Sequence, residues 1–319
     1  MIFDRLYGGM GNQMFQYAFG RKLQKKYGGN LYLDVSDGTE FATTEADKHR
    51  ASVLSEFSIP NEGVVFIDNK AEFERKAGKG IKLADFLDKL PRAARKITKS
   101  NQLYRKLVKL IQNRYNPRGY FTAYDCYAEP AYPPMLEKAY INGLFTSTRY
   151  FEDIYEDLKC EFEPRHLPNE RNQNFLKSIN SCISVCVHVR KGNSYLSNPY
   201  LNVCDGRYFE EAMNRIEKVY PSSVFFIFSN DFNWCKNNID FNKHRCFIVD
   251  AIDGQHAVDE LRLMKSCQHF ILSNSTMGWW AQYLSDNKKR MVVSPSTWAK
   301  GKISLLSDLI DKSWELIEV

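Results

Sequence analysis

Short apolar runs alternate with amphipathic stretches along the second half of the chain. Short runs rich in β-branched and aromatic residues predict buried strands, and apolar residues at every third or fourth position predict helices. Strands are predicted at 182–189, 224–229, 246–249, 269–273 and 290–294. Helices are predicted at 208–219, 232–238, 257–267 and 276–285. Strands that alternate with helices in this way predict a parallel, doubly wound α/β sheet.

The beginning of the chain has a related pattern. A glycine-rich turn at residues 8–13 precedes apolar residues at helical spacing from Met14 to Leu23, and Leu31–Asp34 then predicts a strand. A turn, a helix and a strand in this order predict a second α/β layer. With 319 residues the chain also exceeds the usual size of one domain.

Domain boundaries follow from the polar, proline-containing stretch 164–174, which we interpret as a linker. We therefore predict a first domain at 1–165 and a second at 175–298. Apolar residues at helical spacing from Leu305 to Ile317 predict a C-terminal helix, within 299–319, that packs back on the first domain.

Composition is that of a globular protein, with 44% hydrophobic and 14% aromatic residues. We find neither the apolar core of a signal peptide near Met1 nor a run of about 18 apolar residues that could span a membrane. The eight cysteines form no CxxC pair and no disulfide-like framework, which favours the cytoplasm. Cys182 and Cys186 are expected to be buried thiols of the 182–189 strand.

The net charge of +6 is concentrated in one segment. Residues 89–118 hold ten Lys or Arg and no Asp or Glu, and 103–111 within them has helical spacing. The simpler interpretation is a solvated helix face. The alternative is a basic amphipathic helix that makes peripheral contact with an anionic membrane, here the inner face of the cytoplasmic membrane. No nucleic-acid-binding motif accompanies the charge, so no nucleic acid is expected as a partner.

Polar residues follow three of the predicted strands. They are His188, Arg190 and Lys191 after the first, Ser229 and Asp231 after the second, and Asn274, Ser275 and Thr276 after the fourth. Ligands of parallel α/β sheets bind at the carboxyl edge, and cations beside a helix start suit a diphosphate. Solvated strand ends and a helix N-cap at Asp231 are the structural alternatives.

The glycine turn is a further candidate site. Gly11 lets the backbone approach a ligand closely, and the Asn12 amide can donate to a phosphate oxygen. The spacing matches neither GxGxxG nor a Walker loop, so a simple tight turn is the alternative. The sequence also lacks a GxSxG elbow and zinc-type histidine spacing. The candidate residues suit holding a diphosphate leaving group rather than forming a covalent intermediate.

Taken in order, these segments resemble the α-1,2-fucosyltransferase family, glycosyltransferase family 11, including its bacterial members. Residues 8–17 resemble the family's opening motif, and 188–192 (His-Val-Arg-Lys-Gly) resemble its central HxRRGDY motif. Residues 228–235 and 273–280 resemble its later motifs.

The resemblance implies an α/β fold of the GT-B kind, with two Rossmann-like domains facing a cleft. The second domain would bind GDP-fucose and the first the acceptor. The implied activity is that of a galactoside 2-α-L-fucosyltransferase, an inverting enzyme without a metal that moves L-fucose from GDP-β-L-fucose to a terminal galactose. A galactose-terminated or lipid-linked glycan of surface polysaccharide or O-antigen synthesis would be the acceptor.

The resemblance also implies residue roles. Arg190 would meet the β-phosphate, His188 would help to hold the nucleotide, and Asn12 would reach the diphosphate or the fucose; these three are the expected catalytic residues. Ser275 and Thr276 would donate to the α-phosphate. The remaining expected donor-binding residues are Gly11, Lys191, Ser229, Asp231 and Asn274. Asp231 and Glu260 are the candidate bases.

Two departures from the family motif leave alternatives open. Lys191 replaces an arginine, which keeps the charge but loses the planar fork. Residues 192–195 are Gly-Asn-Ser-Tyr in place of Gly-Asp-Tyr, so a carboxylate is lost and the tyrosine is displaced by one position. A fucosyltransferase of another linkage (α-1,6) and a non-catalytic nucleotide-sugar- or glycan-binding protein are the alternative functions.

Overall fold

The computed structural model describes residues 1–36, 49–97, 101–123, 127–250, 257–300 and 306–319. The chain divides into two compact units, 1–163 and 164–319, and each unit contains its own parallel sheet. The division lies at the start of the predicted linker. Residues 170–174 of that stretch are helical and not part of a linker, because a helix begins at Glu170, capped by the side chain of Asn169, which accepts from the N–H of Asn172.

The first unit has a five-stranded sheet in the order β3-β2-β1-β5-β4, with parallel pairing throughout. Its strands are β1 Ile2–Arg5, β2 Leu31–Asp34, β3 Val64–Ile67, β4 Tyr120–Ala123 and β5 Ala139–Gly143. Its helices are α1 Met10–Tyr27, α2 Lys70–Ala77, α3 Gly80–Ile97, α4 Asn101–Tyr115 and α5 Tyr155–Glu161.

Strand β1 was not predicted, although it is the central strand of this sheet. Its apolar pattern is interrupted by Asp4 and Arg5, both of which are buried. Arg5 is neutralised by Asp34 at 3.2 Å and Asp85 at 2.8 Å. Burial raises the pKa of Asp4 well above its usual value. Side chains that are charged in isolation therefore occupy strand positions that usually hold apolar residues.

The second unit has a six-stranded parallel sheet in the order β11-β10-β9-β6-β7-β8. Its strands are β6 Ile183–Val189, β7 Ser223–Ser229, β8 Cys246–Ile248, β9 His269–Leu272, β10 Val292–Pro295 and β11 Glu315–Ile317. Its helices are α6 Glu170–Asn180, α7 Asn193–Leu196, α8 Gly206–Val219, α9 Phe232–Asn238, α10 Ala257–Lys265 and α11 Thr276–Tyr283.

All nine elements predicted between 182 and 294 are present, with every boundary within two residues of the prediction. The apolar runs are buried because both faces of a parallel sheet are covered. Val185, Phe225 and Ile271, on adjacent strands, are fully buried in one core cluster. Cys186 is buried as expected, but Cys182 precedes β6 and is only partly buried.

The predicted C-terminal helix is wrong over the described residues, and Leu305 lies outside them. Leu306–Leu309 forms a short 3-10 segment, and Glu315–Ile317 is strand β11. Strand β11 pairs in parallel with β10, so this segment completes the sheet of the second unit. The edge of β10 offers backbone hydrogen-bonding groups that helical spacing in the sequence does not reveal.

The basic segment 89–118 lies mainly on α3 and α4, and the helical spacing of 103–111 is confirmed by α4. Within the described ranges, none of the helices combines the length and the apolar character needed to cross a membrane.

Candidate functional site

The strand order of the second sheet reverses between β6 and β9. From β6 the chain proceeds outward through β7 and β8, and it then returns to β9 on the other side of β6. The crossovers that follow β6 and β9 therefore leave a crevice at the carboxyl ends of these strands, where open α/β sheets bind ligands. Arg190 follows β6 and Ser275 follows β9, so the fold places two predicted site residues at this crevice.

Hydrogen bonds join the ends of β6 and β9. The backbone N–H of Arg190 donates to the hydroxyl of Ser273 at 2.8 Å. The same hydroxyl donates to the carbonyl of His188 at 2.8 Å, and Ser273 is completely buried. Ser273 thus fixes the backbone from which the Arg190 side chain extends.

The end of β7 is joined to β6 in a similar way. The side-chain amide of Asn230 accepts from the N–H of Lys191 at 2.8 Å and donates to the carbonyl of Lys191 at 2.7 Å. Gly192 has φ +84°, and a Cβ at this position would lie 2.6 Å from the Asn230 amide nitrogen. Glycine at 192 is therefore required both by its backbone conformation and by this close approach.

Tyr195 lies beside the Arg190 side chain. The Arg190 guanidinium carbon lies 5.7 Å from the centre of the Tyr195 ring, within the range of a cation–π contact. The Tyr195 hydroxyl also donates to the carbonyl of Asn274 at 3.1 Å, and burial raises the pKa of Tyr195. Tyr195, which is one position later than the tyrosine of the family motif, thus lies between Arg190 and the segment that follows β9.

His188 lies beneath the start of α11. It is 3% exposed, and a Cβ on Gly278 would lie 2.7 Å from the imidazole Nδ1. Burial and the neighbouring Arg190 lower the pKa of His188 to about 3. The imidazole is therefore neutral at physiological pH and supports the helix start rather than contributing a positive charge.

The first turn of α11 is suited to an anion. The first N–H groups of a helix have no carbonyl partner within the helix, and the helix dipole adds positive potential there. Ser275 is the N-cap residue, and its hydroxyl makes no capping hydrogen bond. Thr276 opens the helix. An oxyanion beside Ser275 and Thr276 would meet both hydroxyl and backbone donors.

Lys191 is directed towards a neighbouring loop. Its ammonium donates to the Asn202 side chain at 2.6 Å and to the Cys204 carbonyl, and lies 4.3 Å from the Trp234 ring centre. Burial lowers the pKa of Lys191. These contacts give Lys191 a structural role at the sheet edge, and a contact with a nucleotide stays a prediction.

Three other predicted donor-binding residues also stabilise this edge. The Ser229 hydroxyl accepts from the N–H of Asp231 at 3.0 Å, and Asp231 caps α9 by accepting from the N–H of Trp234 at 2.9 Å. The Asn274 amide donates to the carbonyls of Leu201 and Trp298, each at 2.9 Å. The capping alternative for Asp231 is therefore confirmed, while donor contacts of these residues stay predictions.

Glu260, one candidate base, lies on α10 and interacts electrostatically with Arg190. Burial raises the pKa of Glu260 to about 7, against the opposing effect of the Arg190 charge. Its carboxyl group can therefore gain or lose a proton near neutral pH, as a general base must.

Gly11 and Asn12 belong to the first unit. Both lie in the first turn of α1, directly after the central strand β1. The N–H of Asn12 donates to the carbonyl of Gly9 at 2.9 Å, and the Gln13 side chain donates to the carbonyl of Gly8 at 3.0 Å. The glycine turn, at the carboxyl edge of the first sheet, is thus stabilised by its own hydrogen bonds.

Sequence reasoning missed Ser273, Asn230 and Tyr195 as residues that build the site. Each lies within or beside a segment that was singled out, but its contacts depend on how neighbouring strands are paired. Within the described part of the chain, no group of three or more His, Cys, Asp or Glu side chains is arranged to hold a metal ion.

Comparison with known proteins gives matches across the chain. The family profile of Glycosyl transferase family 11 matches residues 5–318. An alpha-1,2-colitosyltransferase of Escherichia coli is 25% identical over 323 residues, covering 100% of this chain and 99% of the relative. The O-antigen biosynthesis glycosyltransferase WbnK of Escherichia coli is 25% identical over 329 residues, covering 98% and 99%.

A vertebrate relative matches a shorter region. Galactoside alpha-(1,2)-fucosyltransferase 1 of Aotus azarae is 31% identical over 157 residues, which are 46% of this chain and 42% of the relative.

Among solved structures, the fucosyltransferase NodZ from Bradyrhizobium has a TM-score of 0.50 at 13% identity, covering 89% of this chain and 91% of NodZ. This likeness concerns the fold. It confirms the predicted class, α/β with two Rossmann-like domains of the GT-B kind.

Proposed function

Since the chain belongs to glycosyltransferase family 11, we propose that it transfers L-fucose from GDP-β-L-fucose to the 2-hydroxyl of a terminal galactose, with inversion. One observation carries the donor part of this proposal. Arg190 and the first turn of α11 each follow one of the two strands that flank the point where the strand order of the second sheet reverses. The acceptor glycan is proposed to belong to O-antigen or another surface polysaccharide, as the name of the relative WbnK suggests.

Departure of GDP places negative charge on the diphosphate as the sugar becomes cationic. The Arg190 guanidinium can contact two phosphate oxygens at once, and the Tyr195 ring lies beside it at 5.7 Å. Ser275, Thr276 and the first N–H groups of α11 supply donors whose positions are fixed before the reaction. Such preorganised groups stabilise developing charge without reorganisation, and loss of one commonly costs about 10²–10³ in rate.

His188 supports this arrangement as a neutral group. Its pKa of about 3 excludes a positive charge at physiological pH. Its imidazole packs so closely against Gly278 that a Cβ there would lie 2.7 Å from Nδ1. We therefore assign His188 to packing against the anion-binding helix turn, and a contact of Asn12 with the donor stays a prediction.

The acceptor hydroxyl must lose a proton during transfer. Of the two candidate bases, Glu260 is favoured, because its pKa of about 7 suits proton acceptance near neutral pH. One oxygen of Asp231 is already engaged in capping α9. We further propose that the reaction requires no metal ion, with the charge of the diphosphate met by Arg190 and the helix turn.

The alpha-1,2-colitosyltransferase that matches over its full length suggests a second candidate donor. Colitose is the 3-deoxy analogue of L-fucose, so GDP-colitose would present the same diphosphate and lack one sugar hydroxyl. The two donors therefore differ only in the presence of this hydroxyl. A site with a polar group that hydrogen-bonds the hydroxyl rejects the deoxy sugar strongly.

The donor is tested by competition. Purified chain is incubated with equal concentrations of GDP-fucose and GDP-colitose, a β-galactoside and EDTA, and both products are quantified by mass spectrometry. The proposal predicts mainly fucosylated product. Mainly colitosylated product would replace the donor but keep the reaction, and the absence of both products with intact GDP binding would favour a non-catalytic protein.

A further inference from the structure

Helices α3 and α4 form the outer layer on one side of the first unit. Both pack against strand β4. Tyr104, Val108 and Ile111 are buried on the inner side of α4, and Ile81 and Leu87 are buried on the inner side of α3. The opposite sides of the two helices face solvent and are called the outer face below.

Large apolar side chains are exposed on this outer face. On α4 the exposed fractions are 59% for Leu103 and 66% for Leu110, and on α3 the fraction is 56% for Phe86. Leu83 and Leu90 are exposed beside Phe86, at spacings of three and four residues. The apolar residues therefore form one stripe on each helix, although neither stripe packs against the core.

Cations lie between these apolar side chains. Arg105, Lys106 and Lys109 on α4 are exposed, as are Lys82 and Lys89 on α3. Residues 89–118 contain no acidic residue. The acidic residues of α3 do not offset this charge at the surface, because Asp85 is paired with Arg5 at 2.8 Å and Asp88 is buried.

We propose that the outer face of α3 and α4 docks on the surface of an anionic lipid bilayer. The cations would meet phosphate headgroups, and Phe86, Leu103 and Leu110 would enter the boundary between headgroups and acyl chains. Exposed apolar residues interleaved with cations are the pattern of helices that lie in the plane of a membrane interface.

The apolar side chains distinguish a bilayer from a soluble polyanion. A polyanion binds cations and offers no place for leucine and phenylalanine side chains. A bilayer interface removes these side chains from water, which is favourable in proportion to the apolar area covered. The charge-complementary partner that also accounts for Leu103 and Leu110 is therefore the lipid surface.

The test measures co-sedimentation of the full chain with vesicles of phosphatidylglycerol and phosphatidylcholine, and with vesicles of phosphatidylcholine alone. We expect binding to the anionic vesicles only, weakened by added salt. The double variant Arg105→Glu/Lys109→Glu should weaken binding at least about thirtyfold. The double variant Leu103→Ser/Leu110→Ser should weaken it at least about tenfold.

Matched controls come from exposed residues of the second unit. Lys177→Glu/Lys218→Glu makes the same change in net charge, and Leu167→Ser/Val219→Ser removes exposed apolar side chains of similar size. Both controls should bind like the unchanged chain. Circular dichroism and thermal unfolding verify that every variant is folded.

Two results would overturn the proposal. One is equal binding of anionic vesicles by Arg105→Glu/Lys109→Glu and by Lys177→Glu/Lys218→Glu. This result would mean that the overall charge of the chain causes the attraction. The other is full binding by the α4 leucine variant, which would describe a polyanion site instead of a bilayer surface. Because no sugar donor is present, both results are independent of the proposed fucosyl transfer.

Discussion

Arg190 and Ser273 are 83 positions apart in the sequence, and the backbone N–H of Arg190 donates to the Ser273 hydroxyl over 2.8 Å. This contact connects the end of β6 to the end of β9, the two strands that flank the reversal of strand order. The position of the Arg190 side chain in the crevice therefore depends on a residue that does not itself need to contact a ligand.

Replacement of Ser273 by alanine tests this dependence. The Arg190 N–H would lose its acceptor, and a polar group left unsatisfied in a buried setting costs about 1–3 kcal/mol. We expect Ser273→Ala to lower the melting temperature and to weaken GDP binding, measured by thermal unfolding and calorimetry. The exposed Ser222→Ala should change neither, and unchanged GDP affinity in Ser273→Ala would contradict the role given to this contact.

Replacement of Arg190 tests the charge on the departing diphosphate. Arg190→Ala should reduce kcat by about 10²–10³ and leave the melting temperature nearly unchanged. Arg190→Lys should recover part of the loss, because it keeps the charge but lacks the planar fork. Arg207→Ala, an exposed change in the same unit, is the matched control. Full activity in Arg190→Ala would refute the assignment.

Tyr195→Phe removes the hydroxyl that donates to the carbonyl of Asn274 and keeps the ring beside Arg190. Because this bond holds the Tyr195 ring against the Arg190 side chain, kcat should fall more than the affinity for GDP does. A loss of up to about tenfold in kcat is expected from one hydrogen bond. Steady-state kinetics of Tyr195→Phe and of the exposed control Tyr200→Phe measure this difference. Equal kinetics in the two variants would leave Tyr195 without a positioning role.

The raised pKa of Glu260 predicts that both the stability and the activity of the chain depend on pH. Its pKa rises from 4.5 in the unfolded chain to about 7 in the folded chain, so the folded chain holds this proton more tightly. Its contribution to stability is therefore present below pH 4.5 and is lost as pH rises through about 7. Activity should increase over the same range if the ionised carboxylate is the base.

Glu260→Gln should remove both dependences. Thermal unfolding between pH 5 and 8 should show a smaller decrease with rising pH in the variant than in the unchanged chain, and the kcat profile should become flat and low. An unchanged kcat profile would move the base to another residue and leave only the stability effect.

The strand-helix alternation of the second unit could be predicted because parallel strands are buried on both faces. Their apolar runs are therefore nearly continuous, as in Phe225–Phe228. The same rule failed for β1, where burial raises the pKa of Asp4 and Arg5 is buried with an ion-pair partner. It failed again at the C-terminus, because strand β11 depends on the free edge of β10.

It could also be predicted that the candidate residues lie at one edge of the second sheet, since the strand ends of a parallel sheet share one edge. The individual roles of these residues could not be predicted. Lys191 follows Arg190 in the sequence, but its ammonium is bound by Asn202 and the Cys204 carbonyl in a loop whose conformation is set by tertiary contacts. Tyr195 became a partner of Arg190 only through the conformation of residues 192–195.

The most direct test of the proposed function is the linkage of the product. The purified chain is incubated with GDP-fucose, a panel of β-galactosides and EDTA, and the product is analysed by NMR. We predict an α-1,2-linked fucosyl residue on galactose, absent in Arg190→Ala. Fucose on a 6-hydroxyl, or no transfer to any galactoside by a folded chain that binds GDP, would contradict the proposed reaction.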